Sequence, residues 1–244
     1  MNNLKEGYEK YTKNFAEHMA KIETNPKIIE EDFIKQLREQ PIKIPEKTIG
    51  NYSIVHDIIF AGKTTIVVSH RNWIMMGYKP FSIMFDSDRL VHKLKKNGQR
   101  LMMSDSPQEM FLQYEAYKNA RGRILTSGLG IGLFTSMVAK KEDVTEIVVI
   151  EKEEDIIKLI KPYIKSKKVK ILHDDIWNFI KETNENFDYS YIDIHYSTGA
   201  MEYSLTIQPM RKILVERFPN MPVDFWGEEE MKAQVIGNPN YIGV

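Results

Sequence analysis

The stretch Ile124-Leu125-Thr126-Ser127-Gly128-Leu129-Gly130-Ile131-Gly132-Leu133-Phe134 decides the fold. A short apolar run meets glycines at three alternate positions, and a segment of helical length follows at about residues 133–139. Glycines here let the chain turn sharply and let a ligand approach the backbone. The helix behind them would offer free N–H groups and the positive end of its dipole. The glycine triplet alone says little; its setting, strand before and helix after, gives it weight.

Downstream the same alternation continues. Strand-like runs lie at 124–127, 146–150, 169–172 and 189–192, with a weaker one at 223–226. Helix-length segments fall at about 133–139, 153–164, 176–183 and 202–218. Apolar strands alternating with helices imply a parallel sheet covered on both faces, because parallel strands need crossover connections. Such sheets bind ligands outside the carboxyl ends of their strands, where strand order reverses.

The strand ends therefore carry the candidate site. Glu151 closes the second run, about 20 residues beyond the glycine loop, where an acid can accept both ribose hydroxyls of a nucleoside; it could equally cap the helix expected near Glu153. Asp174-Asp175-Ile176-Trp177 follows the third run. One carboxylate could accept from an adenine amino group, with Ile176 or Trp177 packing on the base, while the other serves as an N-cap. Asp193, His195 and Tyr196 follow the fourth run. They could orient a nucleophile or take its proton, or could merely line a pocket.

Upstream, Leu4, Tyr8, Tyr11, Phe15, Met19 and Ile22 recur at helical spacing, and a second helix over about 26–38 would place Ile29, Phe33, Ile34 and Leu37 together. From about 49 to 103 the runs shorten and become β-branched or aromatic: Ile54-Val55, Ile58-Ile59-Phe60, Thr65-Ile66-Val67-Val68, Trp73-Ile74-Met75-Met76 and Phe81 to Phe85. Turn material such as Asn97-Gly98 punctuates the region, which reads as an antiparallel meander of four or five strands. The expected architecture is α/β: a Rossmann-like parallel sheet with helices on both faces over 104–244, preceded over 1–103 by N-terminal helices and a small antiparallel β domain.

Composition narrows the function classes. Lys+Arg and Asp+Glu balance at 34 each among 244 residues. No global field therefore steers the chain to nucleic acid or anionic lipid, and Lys93-Leu94-Lys95-Lys96 reads as a solvated face. The absence of cysteine excludes disulfides, thiolate zinc sites and cysteine nucleophiles. The polar start and the lack of a sufficiently long apolar span suit a soluble cytoplasmic protein with no membrane segment. No metal site is expected.

At the four strand ends the sequence resembles the class I S-adenosylmethionine-dependent methyltransferase superfamily. The matching features are Gly128-x-Gly130-x-Gly132, Glu151, Asp174-Asp175, and Phe187-Asp188 leading into Asp193. The resemblance covers about residues 121–227. It implies S-adenosylmethionine as cofactor, held by Gly128, Leu129, Gly130, Gly132, Glu151, Lys152, Asp174, Asp175 and Ile176. Asp193, His195 and Tyr196 would then face a small-molecule or peptidic acceptor. A nicotinamide dehydrogenase fingerprint would want glycine where Leu133 stands.

Within the superfamily, the β domain and the acidic segment Met102 to Met110 resemble the spermidine synthase-like branch. Aminopropyl transfer is thus the alternative reaction, with Asp105, Glu109 and Asp193 as the carboxylates available to hold a diamine. That branch's usual loop Asp and acidic signature after strand four are missing, since Leu129, Ile131 and Asp193-Ile194-His195-Tyr196 stand there. Nucleic-acid amino-methylating enzymes carry two prolines at that last position, absent here, so a nucleic-acid acceptor is not expected. Only 18 residues follow Trp226, too few for the superfamily's usual sixth and seventh strands. An open sheet edge would pair with a second copy, giving a homodimer, or be covered by the N-terminal helices. A binding or regulatory protein that keeps the cofactor without transfer chemistry, and a cofactor-degrading enzyme, are the remaining readings.

Overall fold

The computed structural model describes residues 13, 17, 27–69, 76–195 and 198–237. The first expected helix, built on Leu4 to Ile22, lies outside the described apolar positions, as do Trp73 and Tyr196. The second starts later than its spacing suggests: α1 spans Glu31–Arg38 and buries Phe33 and Leu37. The preceding residues are diverted by tertiary bonds. Lys27 N–H donates to the Gly77 carbonyl and Glu30 N–H to the Tyr114 hydroxyl, each at 2.9 Å.

Among the described residues six strands follow: β1 (Lys47–Ile49), β2 (Tyr52–Ile59), β3 (Thr65–Val68), β4 (Phe81–Ile83), β5 (Arg89–Lys96) and β6 (Arg100–Ser104). They form two antiparallel sheets rather than one meander, a four-stranded sheet ordered β1-β2-β5-β6 and a separate β3-β4 pair. The longest surprise is β5, which runs through the basic stretch read as a solvated face. Alternation accounts for it: His92 and Leu94, on one face, are buried, while Lys93 between them points the other way, stays half-exposed and reaches Asp57 at 2.6 Å. Asn97 and Gly98, with φ of +54° and +68°, turn β5 into β6.

Two short helices then cross toward the main sheet, α2 (Pro107–Leu112) and α3 (Tyr114–Asn119). Ser106 caps α2 by accepting the Glu109 N–H at 3.3 Å, with Pro107 in the first turn.

The main sheet is built from β7 (Gly122–Ser127), β8 (Val144–Glu151), β9 (Val169–His173), β10 (Tyr189–Ile192) and β11 (Val223–Phe225). All its pairings are parallel, in the order β11-β10-β7-β8-β9. Strand order therefore reverses between β7 and β10, which makes that junction the switch point where ligands bind. Connecting helices are α4 (Leu133–Val138), α5 (Glu154–Ile160), α6 (Ile176–Glu182), α7 (Ala200–Glu202) and α8 (Gln208–Arg217), with α9 (Glu228–Gly237) after β11. Between α7 and α8 the helix widens to a π-type turn over Tyr203–Ile207. Pro209 lies just beyond and has no N–H to donate, which disrupts the i→i−4 ladder there.

Ile147, Val148, Val149 and Ile150 on β8 are all fully buried, as a strand covered on both faces requires. One apolar cluster joins that sheet's first face to α2–α5 and the N-terminal sheets, including Phe33, Leu94, Phe111 and Ile147. The other packs α6 and α8 on the opposite face through Leu125, Ile180 and Leu214. Among the described residues no helix is long and apolar enough to cross a membrane.

Candidate functional site

A cavity opens over the carboxyl ends of β7–β10, roofed by β6 and the α2–α3 junction. Its lining includes Gly128, Leu129, Gly130, Glu151, Lys152, Asp174, Asp175, Ile176, Asp193 and His195. Gly132, singled out with the other two glycines, does not line it. Its φ is +74°, and a Cβ there would lie 2.6 Å from Ile164 Cδ1, so it serves close packing under α4. Gly128 is where the two halves of the site meet: at φ +86°, an added Cβ would sit 1.8 Å from the Asp193 carbonyl oxygen. The helix behind the loop, α4, is only six residues long and supplies less dipole than the sequence suggested.

The β8–β9 side carries the acids expected to hold a nucleoside. Glu151 is buried; its Oε2 accepts the Leu129 N–H at 2.8 Å and its Oε1 the Glu153 N–H at 2.9 Å. It thus caps the segment entering α5 and ties the glycine loop to β8 in one side chain. Burial raises its pKa, and these backbone donors oppose the rise. The Lys152 N–H adds a third backbone donor, and the carboxylate's remaining lone-pair capacity is what a ligand could use. Asp175 is the N-cap of α6, accepting the Trp177 N–H at 2.8 Å, and Asp174 accepts the Asp175 N–H at 2.7 Å. Trp177 and Ile176 complete this wall.

The β10–β11 side is different. Asp193 N–H pairs with Ser127 C=O at 2.9 Å, which fixes the backbone, while the carboxylate faces the cavity. Burial, then Glu109 and Glu151 nearby, push that carboxyl up to about 8. Glu109, on α2 across the cavity, is pushed up to about 7 by burial. His195 is buried with Nδ1 3.5 Å from Glu202 Oε1, and burial lowers its pKa, so the ring is neutral at pH 7. Among the described residues neither ring nitrogen has a partner within hydrogen-bonding geometry.

Asp105 is not part of the site. It is fully buried within the N-terminal sheet, where Oδ1 accepts the His92 N–H at 2.7 Å and Oδ2 lies 2.8 Å from His92 Nδ1. His92 Nε2 accepts the Ile44 N–H at 3.2 Å, so Nδ1 carries the ring proton toward Asp105. An acid one residue after β6 has become a buried hydrogen-bond hub. Asp188 is also remote: it accepts the Arg123 N–H at 2.7 Å, at the opposite end of the sheet.

Sequence reasoning passed over Met103, Gln113 and Tyr191, all of which line the cavity. Met103 Sδ accepts the Ile131 N–H at 3.2 Å and fills the space beside Gly130. Among the described residues Gln113 Oε1, Tyr191 Oη and Trp226 Nε1 are buried without partners. Nothing local in the sequence marks them, because tertiary packing of α2, β10 and the β11 end brings them together. Among the described residues no group of three or more His, Asp or Glu is placed to hold a metal ion.

Strand order, crossover helices and a ligand cavity at the switch point define a Rossmann-like α/β fold. No protein-family model and no curated protein matches the sequence. Solved structures with a similar course of chain include a dimethyladenosine transferase from Plasmodium falciparum, 19% identical, with a TM-score of 0.35 over 47% of this chain and 39% of that one. A spermidine synthase from Thermotoga maritima is 12% identical, with a TM-score of 0.34 over 54% of each chain. The chain spans between 39% and 54% of the length of these two structures.

Proposed function

We propose that this chain is an S-adenosylmethionine-dependent transferase, moving a methyl group to a small or peptidic acceptor. The observation that carries the reading is Glu151: a buried carboxylate at the end of β8, bonded to the loop N–H of Leu129 and open to the cavity. It faces the position a ribose would take, with Asp174 and Trp177 available to adenine and the glycine loop to the amino-acid end. When bound, S-adenosylmethionine supplies a sulfonium methyl whose carbon takes the acceptor's electron pair as the C–S bond breaks and its pair returns to sulfur.

The protein's share is positioning and exclusion of water. Asp193 and the neutral imidazole of His195 can each hold an acceptor proton on the β10 side; Tyr196, outside the described residues, belongs to the same proposal. So does the division of the chain at 103/104. The unpartnered polar groups on the β10–β11 side favour a second substrate over a purely regulatory protein. Glu109 and Asp193 keep aminopropyl transfer from decarboxylated S-adenosylmethionine as the second reading, although Asp105 no longer supports it. Calorimetric titration with both donors separates the two. Tighter binding of the carboxylated form supports methyl transfer, and a preference for the decarboxylated form supports aminopropyl transfer.

A further inference from the structure

The N–H groups of the glycine loop are not held alike. Gly128 N–H donates to the Ile150 carbonyl at 3.0 Å and Gly132 N–H to the Leu129 carbonyl at 2.7 Å. Leu129 N–H goes to Glu151 Oε2 at 2.8 Å. Ile131 N–H is held instead by sulfur, Met103 Sδ at 3.2 Å, and Ile131 is wholly buried. A buried N–H left without an acceptor is costly, so some group has to take it. A thioether is a weak acceptor. A carboxylate accepting from the same N–H makes a charge-assisted bond, roughly twice as strong as a neutral one.

The local structure aims Met103 at the loop and lets it leave. β6 carries a bulge: Leu94 pairs with Met103 and Lys95 with Leu101, so Met102 is the extra residue. Bulges bend a strand and re-aim its side chains. β6 is also the edge strand of its sheet, unpaired on its outer side. Gly130, at φ +51°, leaves room for the thioether, and a Cβ there would collide with Sδ. Methionine is unbranched with three rotatable bonds, so a displaced side chain can repack. Met103 and Gly130 both line the cavity, as do two cations, Arg100 on the same strand and Lys152 after β8.

We propose that Met103 is a specificity residue of the cofactor site, its sulfur holding the Ile131 N–H until the amino-acid carboxylate of a ligand displaces it. The inference rests on the S-adenosylmethionine reading, which puts the amino-acid end of the ligand at the glycine loop. A nucleoside that carries the carboxylate replaces a weak acceptor with a strong one. The same nucleoside without it leaves Met103 in place and draws no affinity from that N–H.

The test labels the methionine methyl groups of the full chain and follows the Met103 signal by NMR, assigned by its loss in Met103→Leu. Three ligands are titrated: S-adenosylhomocysteine, its decarboxylated form, and methylthioadenosine, which lacks the amino-acid end. The expected result is that the Met103 signal moves with S-adenosylhomocysteine and stays in place with the other two. Leucine offers no acceptor to displace. Met103→Leu should therefore bind S-adenosylhomocysteine about three- to tenfold tighter by calorimetry, with methylthioadenosine affinity within about twofold of wild type. A Met103 signal that responds to all three ligands alike, or is unmoved by S-adenosylhomocysteine, would overturn the inference. So would a variant whose two affinities change by the same factor, as a residue that only packs would give. In each of those cases binding of S-adenosylhomocysteine leaves the cofactor reading standing. No binding of any of the three removes the cofactor reading and this inference with it. Circular dichroism checks the fold of the variant, and the comparison of ligands on the wild-type chain stands without it.

Discussion

Replacing Asp193 by Asn should stabilise the protein, and increasingly so as pH rises. The carboxyl is pushed from 3.8 up to about 8 in the folded chain. Below pH 4 the folded and unfolded chains both hold the proton, and the substitution changes little. Between about pH 4 and 8 the folded chain keeps a proton that the unfolded chain has released, so stability falls as pH rises. Above pH 8 the loss is complete. At about 1.4 kcal/mol per pKa unit the ceiling is about 6 kcal/mol. The side chain borders a cavity that water can enter, which lowers the expected gain for Asn to about 2–3 kcal/mol at pH 8.5. Urea unfolding of both proteins at pH 4.5, 6.5 and 8.5, with m-values compared, measures it. A gain that grows across the three pH values supports the reasoning. A flat difference, or a variant less stable than wild type at pH 8.5, would refute it and mean the carboxylate has a partner in solution.

Two further substitutions follow from the loop. Glu151→Gln removes the charge that accepts the Leu129 N–H and faces the proposed ribose position; loss of charged hydrogen bonds worth about 1.5–3 kcal/mol predicts about 10- to 100-fold weaker S-adenosylhomocysteine binding, read by calorimetry, with circular dichroism unchanged. Gly128→Ala puts a methyl 1.8 Å from the Asp193 carbonyl oxygen at a φ of +86°. It should cost about 2–4 kcal/mol in urea unfolding, and a cost under about 0.5 kcal/mol would mean the loop is not held against β10 as described.

The parallel sheet was legible almost residue for residue because its strands are buried on both faces. Val148 or Ile150 has no polar alternation to blur the run, and the end of each strand is marked by an acid or a glycine. The N-terminal half was less so. Strand β5 hides behind Lys93, Lys95 and Lys96, whose stems lie along a sheet that only tertiary pairing with β2 creates. The two helices after residue 106 did carry a local signal, since Ser106-Pro107 with Glu109 at the third position is a capping arrangement. Their brevity kept any apolar period from emerging. At the site, Glu151 and Asp175 were readable from position alone. Asp105 and Glu109, four residues apart in one acidic stretch, could not be told apart in sequence; only packing sends one to His92 and the other to the cavity. The unpartnered atoms of Gln113, Tyr191 and Trp226 are a property of the assembled cavity and leave no trace in the order of residues.

The central claim is that the switch-point cavity holds S-adenosylmethionine. The most direct measurement is a thermal-melt series with S-adenosylmethionine, S-adenosylhomocysteine, decarboxylated S-adenosylmethionine and NAD. A ligand at 100 times its dissociation constant stabilises by about 2.7 kcal/mol, which is about 5–10 °C for a chain of this size. A shift of that order is expected with S-adenosylmethionine and S-adenosylhomocysteine, and none with NAD. A shift with NAD alone, or with none of the sulfur nucleosides, would contradict it.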